Sequence, residues 1–164
     1  MRIFLVRHAD ADADIPEGLG DDARALTARA RPLASAHFTA LAERIDKLDL
    51  ILASPLVRTV QTAQIFSLAI KHEGPLRAHR SLLPDMPVGA LESVLNDHAG
   101  ENLALVGHSP SMGAMAAHLL GMQTFPKAVA PGTVFGLEKP DGEPGAPAKL
   151  LFYAPLNGQV VDTL

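Results

Sequence analysis

Three short apolar runs in this chain each stop at a cation or an imidazole, and that repetition constrains the fold more than any other feature. Ile3 to Val6 ends in Arg7-His8. Leu48 to Ala53 ends in Ser54, with Arg58 in the first turn of the segment that follows. Leu103 to Val106 ends in Gly107-His108. Runs this short and this apolar read as strands buried on both faces. Helical patterns separate them: 30 to 45, with Leu33, Ala34, Phe38, Leu41, Ala42 and Ile45 on one face; 55 to about 70; and 88 to 98, with Leu91, Val94, Leu95 and His98 spaced i, i+3, i+4, i+7. Ser54-Pro55 and Ser109-Pro110 each offer an N-cap followed by proline at the first helical position. A short edge strand is expected at 76 to 79 and two late strands at 132 to 137 and 150 to 154, the last pair joined by a turn rich in proline and glycine. Strands alternating with helices, without a repeat or a linker, make this an α/β chain with a largely parallel sheet, 1 to 164 forming a single domain.

Composition narrows the classes. A formal charge of −4 disfavours nucleic acid and anionic membrane surfaces as partners. The absence of cysteine excludes disulfides, thiolate metal sites and cysteine nucleophiles. No apolar stretch approaches the roughly 20 residues of a membrane span, and the N-terminal run is too short for a signal-peptide core, so a cytoplasmic location is expected.

In an open α/β sheet, ligands bind beyond the carboxyl ends of the strands, where helix N-termini attract anions. Arg7, His8, Arg58 and His108 all fall at such ends. Two arginines and two histidines gathered there describe a site for a tetrahedral dianion, since the guanidinium fork matches phosphate oxygens. A histidine flanked by fixed cations can attack phosphorus, and a second, protonated, can stabilise its oxygens.

The motifs L-V-R-H-A at 5–9, L-T at 26–27, S-P-L-V-R-T-V-Q-T at 54–62 and V-G-H-S-P at 106–110 resemble those of the histidine phosphatase superfamily. They span about two-thirds of the chain. The small size and the R-H-A-D-A opening are most similar to the compact SixA-type phosphohistidine phosphatases. The resemblance implies the phosphoglycerate-mutase-like fold: a three-layer α/β sandwich whose mostly parallel central sheet has an antiparallel edge strand and helices on both faces. It implies that His8 is the nucleophile, that Arg7, Arg58 and His108 bind the phosphoryl group, and that no metal or other cofactor takes part. The substrate would be a phosphorylated protein of the histidine phosphotransfer type or a small phosphorylated molecule. Ala9 stands where the family has glycine, so its Cβ is expected to crowd a close approach or a positive φ. Ala30 likewise replaces a common glycine at the start of the first helix.

The general acid is less plain. Asp85, in L-L-P-D-M-P, lies where some relatives place a glutamate, and Asp10 is close to His8 in sequence. Either could equally be a solvated loop carboxylate. A phosphohistidine substrate needs little help, because imidazole, with a pKa of about 6.5, leaves phosphorus far more readily than an alkoxide.

Other readings fit less well. Residues 10 to 22 carry six carboxylates, and Asp10, Asp12 and Asp14 have the opening spacing of a calcium loop. Ile15 and Asp21 occupy the positions that need glycine and glutamate, and a strand precedes the segment where a helix should, so a solvated lid is expected. G-H-S-P-S at 107–111 approaches a serine nucleophile elbow at Ser109. No acid lies between Ser109 and the only later histidine, His118, as that fold's chain order requires. A general small-molecule phosphomonoesterase, or a catalytically silent module that binds phosphate or phosphohistidine, remain as alternatives. His37, His72, His79, His98 and His118 call for no function, His37 being placed on the exposed face of its helix.

Overall fold

A computed structural model of the chain describes residues 1–164. Its six strands are β1 (Arg2–Arg7), β2 (Leu50–Ala53), β3 (Leu76–Ala78), β4 (Leu103–Gly107), β5 (Val134–Glu138) and β6 (Lys149–Ala154). Four helices separate them: α1 (Ala30–Leu41), α2 (Val57–Ala69), α3 (Val88–Asp97) and α4 (Ser111–Leu119). The strands form one sheet in the order β3-β2-β4-β1-β5-β6. β1, β2, β3 and β4 are parallel to their neighbours in this block, whereas β5 pairs antiparallel with both β1 and β6. The reversal expected at the edge therefore arrives as a hairpin, with the reversed strand one in from the border.

The alternation of side chains along β1 builds the layers. Phe4 and Val6 point into a core with Ala34, Phe38, Ala63 and Phe66 of α1 and α2. Ile3 and Leu5 point the other way, into Leu91, Val94, Met112 and Met115 of α3 and α4. Both faces of the central strands are covered, which is why Ile3 to Val6, Leu50 to Ala53 and Leu103 to Val106 carry no polar residue. No helix is long and apolar enough to cross a membrane.

Local details differ from the sequence patterns where a distant contact intervenes. Leu33, placed on the apolar face of α1, is 44% exposed, and Ala30 takes its place in the core. His37 is half-buried, its Nε2 enclosed without a hydrogen-bond partner, and burial lowers its pKa. α2 begins at Val57 with Leu56 as its N-cap, so Ser54 is not a helix cap but a buried residue of the strand end. Ala9 is fully buried in the α1/α2 core at a non-positive φ. The Cβ that was expected to crowd the backbone is accommodated as core.

Candidate active site

Register decides what meets at the carboxyl edge. Arg7 pairs with Gly107 and Ala53 with Val106, so the three chains leave the sheet at one level. His8 N donates to Gly107 O and Ser54 N to Val106 O, both at 3.0 Å, carrying the ladder one step past the strands. His8 and His108 emerge side by side, their rings edge to face with centroids 5.3 Å apart. They share a pocket of about 300 Å³ with Arg7, Arg24, Arg58 and Asp10, closed by Ala11, Pro84, Ser109 and Pro131.

The His8 ring is held in one tautomer. Its Nδ1 lies 2.7 Å from the carbonyl oxygen of Ala9. A carbonyl only accepts, so Nδ1 carries the hydrogen and Nε2 presents its lone pair. Burial is the chief cause that brings the His8 pKa down to about 4; the Ala9 hydrogen bond opposes it, and the charges of Arg7, Arg58 and Arg24 add to it. At neutral pH the ring is therefore an uncharged nucleophile among cations.

His108 is held from the other side. Its Nε2 lies 2.8 Å from Ser54 Oγ, which also accepts from Leu56 N at 3.4 Å. The Ser54 hydroxyl, with one hydrogen and two lone pairs, fixes the orientation of the His108 ring through Nε2. Burial, then His8 and Arg58, bring the His108 pKa to about 3. The second histidine is thus a neutral N–H donor in the free protein, where the residue pattern had pointed to a protonated one.

Both arginines are tied at their tips and free at the elbow. Arg7 Nη1 donates to Val129 O at 2.6 Å. Arg58 donates from Nη1 to Asp21 O at 3.0 Å and from Nη2 to Asp21 Oδ2 at 3.1 Å. The Nε of each is buried and has no acceptor in the protein. With Arg24, the two arginines line one pocket, and three guanidinium charges gathered there fit an anion. α2 braces this arrangement: Thr62 Oγ1 accepts from Ala9 N at 3.1 Å and donates to Arg58 O at 2.7 Å.

Of the two candidate acids, the fold brings only Asp10 to the pocket. Asp85 is exposed, sits at φ 64° in its turn, and does not line the pocket; Pro84 does. Arg24 and Ser54 are site residues that the motif reading missed. Arg24 lies in a stretch whose acidic count conceals it. Ser54 reads as a helix cap from the Ser-Pro pair alone.

A sequence profile of the histidine phosphatase superfamily (branch 1) matches residues 3–82. Over that stretch, just under half of its length, the chain is similar to the histidine phosphatase superfamily. The matched stretch contains Arg7, His8, Arg24 and Arg58, and His108 lies beyond it. Solved structures share the fold of this chain. The protein histidine phosphatase SixA, in complex with tungstate, superposes with a TM-score of 0.82 at 21% identity, over 95% of this chain and 97% of that one. A protein from Agrobacterium tumefaciens provisionally named as the phosphohistidine phosphatase SixA gives 0.79 at 23% identity, over 94% and 97%. A mycobacterial glucosyl-3-phosphoglycerate phosphatase in complex with VO3 gives 0.67 at 18% identity, over 91% and 96%. No curated protein matches the sequence significantly.

Proposed function

We propose that residues 1–164 act as one catalytic unit, a metal-independent phosphatase that works through a covalent phosphohistidine at His8 on a phosphohistidine carried by a signalling protein. The observation that carries this reading is the state of His8: neutral, its proton parked on Ala9 O through Nδ1, its Nε2 open to a pocket lined by Arg7, Arg24 and Arg58. The tungstate and VO3 held by two of the similar structures are oxyanions of the kind such a pocket would take.

The steps follow from these groups. The Nε2 lone pair attacks phosphorus, the bond to the leaving group breaks, and an N–P bond forms. Charge on the equatorial oxygens is met by Arg7, Arg58 and His108, groups set in place before the reaction. Three guanidinium groups, with Arg24, supply the positive charge that a metal would supply elsewhere. The leaving nitrogen takes a proton as it departs. Water then attacks the phosphoryl group, the N–P bond breaks, and inorganic phosphate leaves neutral His8 behind.

One observation favours a second reading, a small-molecule phosphomonoesterase. Asp10 lines the pocket and could protonate an alkoxide. A substrate panel contrasting N–P and O–P bonds, run on the wild type and on His8→Ala, decides between them. Fast phosphohistidine and aryl phosphate turnover with slow alkyl phosphate turnover is the expected result. Efficient alkyl phosphate turnover selects the second reading, and a fully active His8→Ala ends both.

A further inference from the structure

Asp21 belongs to the exposed acidic segment and does not line the pocket, yet both arginines on that side of the site end on it. One carboxylate oxygen, Oδ1, accepts from Arg24 Nε at 2.7 Å. The other, Oδ2, accepts from Arg58 Nη2 at 3.1 Å, and the Asp21 carbonyl accepts from Arg58 Nη1 at 3.0 Å. We propose that Asp21 is a positioning residue, a clamp that sets Arg58 and Arg24 at the phosphoryl pocket and makes the acidic segment a working part of the site. The inference rests on the reading of that pocket as a phosphoryl site.

The geometry is that of a support and not of a chance surface pair. The Arg58 side chain is only 5% exposed, and a guanidinium cannot shed its charge, so in that setting it needs an anion. Asp21 is the only carboxylate it meets. The contact is end-on, through both terminal nitrogens, which stops the guanidinium from rotating while its Nε stays free of protein partners. Asp21 and Arg24 stand three residues apart across a 3-10 turn over Asp21–Ala23, a spacing that stacks their side chains on one side. Arg24 is anchored again by Nη1 to Asp12 O at 3.0 Å. Two guanidinium groups that would repel each other are so held next to one another by a carboxylate placed between them. The arginines in turn hold the Asp21 carboxyl below its ordinary range, Arg24 most, so the clamp stays charged.

The opposite role is also conceivable on these contacts: a carboxylate that occupies the arginines and must yield to phosphate. The two roles differ in sign. Asp21→Asn and Asp21→Ala, with steady-state kinetics on an aryl phosphate and orthovanadate binding by calorimetry, separate them. Loss of the clamp should lower kcat by about 10²-fold, the scale of a misplaced catalytic group. KM should change less, vanadate should bind about tenfold more weakly, and thermal stability should stay within a few degrees. In an Arg58→Ala background the Asp21 substitution should cost clearly less than in wild type, only its hold on Arg24 remaining to be lost. An unchanged kcat, tighter vanadate binding, or a full additive loss on Arg58→Ala overturns the clamp while leaving the phosphatase reading intact. Wild type that binds no vanadate overturns the pocket itself, and the clamp with it.

Discussion

The two sides of the pocket are built on different physics. On the strand side, His8, Ser54 and His108 leave a parallel sheet at adjacent positions, and backbone hydrogen bonds or a buried hydroxyl fix their orientation. On the loop side, Arg24 and Asp21 come from a segment with little buried surface, held by ion pairs, by two backbone bonds near its base, Asp12 N to Ala25 O and Thr27 N to Asp10 O, and by Leu26 N donating to Gln61 Oε1. Arg58 joins the two, rooted in α2 and ending on Asp21. On the proposed mechanism the nucleophile His8 directly follows β1, while Arg24 comes from a segment with little buried surface. Damage on the strand side should therefore abolish the chemistry, and damage on the loop side should weaken it in a way that salt can mimic.

The largest effect expected is on the strand side. His8→Ala removes the atom that forms the N–P bond and should lower turnover by a factor on the order of 10⁵–10⁶, as when a nucleophile is lost from a site that acts as a unit. Rapid quenching without acid should trap an alkali-stable, acid-labile phosphoprotein in the wild type and none in the variant. A phosphoprotein that survives in His8→Ala would move the nucleophile elsewhere.

Next comes Arg58, where the two sides meet. Arg58→Lys keeps the charge and loses the end-on grip on Asp21 together with the Nε donor, so about 10²–10³ in kcat should go. If the loop side acts through charge, raising ionic strength should weaken vanadate binding to this variant more steeply than to wild type. Equal salt slopes would show that the contrast between the two sides is false.

A smaller effect tests the buried hydroxyl. Ser54→Ala leaves His108 Nε2 without its hydroxyl partner and removes what orients the ring. A buried hydrogen bond of this kind is worth about 1–3 kcal/mol, so turnover should fall by roughly tenfold to a hundredfold. The histidines also set a pH signature. Both have folded-state pKa values, about 4 for His8 and about 3 for His108, below the ordinary 6.5. The unfolded chain takes up protons first as pH falls, so their contribution to stability is fully present above about 6.5 and is lost progressively towards the folded values. The acid limb of kcat/KM should follow His8 near 4. A limb near 6.5 would mean that His8 is not desolvated.

How legible all this was depends on the range of the contact involved. The runs around Phe4, Ile51 and Leu105 announce the central strands because burial on both faces leaves an uninterrupted apolar signature. Arg7, His8, Arg58 and His108 could be picked out because each sits at or just past such a run. The helix ends blurred where a distant partner competes with local chemistry. Ser54 reads as a cap, but a histidine 54 residues away takes its hydroxyl. Leu33 keeps the helical spacing of the core face, yet Ala30, Ala34, Phe38 and Leu41 fill the core and Leu33 stays exposed. Asp21 and Arg24 look like two more charges in a polar loop, because what gives them a role is an arginine 37 residues beyond Asp21.

The smallest effect expected is that of Asp85→Asn, which set against Asp10→Asn separates the two candidate acids by the part of the fold that carries them. Asp85 lies in an exposed turn and its carboxylate does not reach the pocket, so Asp85→Asn should leave phosphohistidine and alkyl phosphate turnover alike within a few fold. Its backbone also argues for a mild outcome, since asparagine tolerates a positive φ about as well as aspartate. Asp10 follows the nucleophile by two residues and lines the pocket, and its charge acts on Arg7. Asp10→Asn should therefore spare phosphohistidine, whose leaving nitrogen needs little assistance, and depress any alkyl phosphate activity by about 10²–10⁴, the usual worth of a positioned proton donor. Should Asp85→Asn carry that selective loss in place of Asp10→Asn, the turn holding Pro84 would have to close over the site during turnover, and the loop side of the pocket would include a moving part that the free protein does not display.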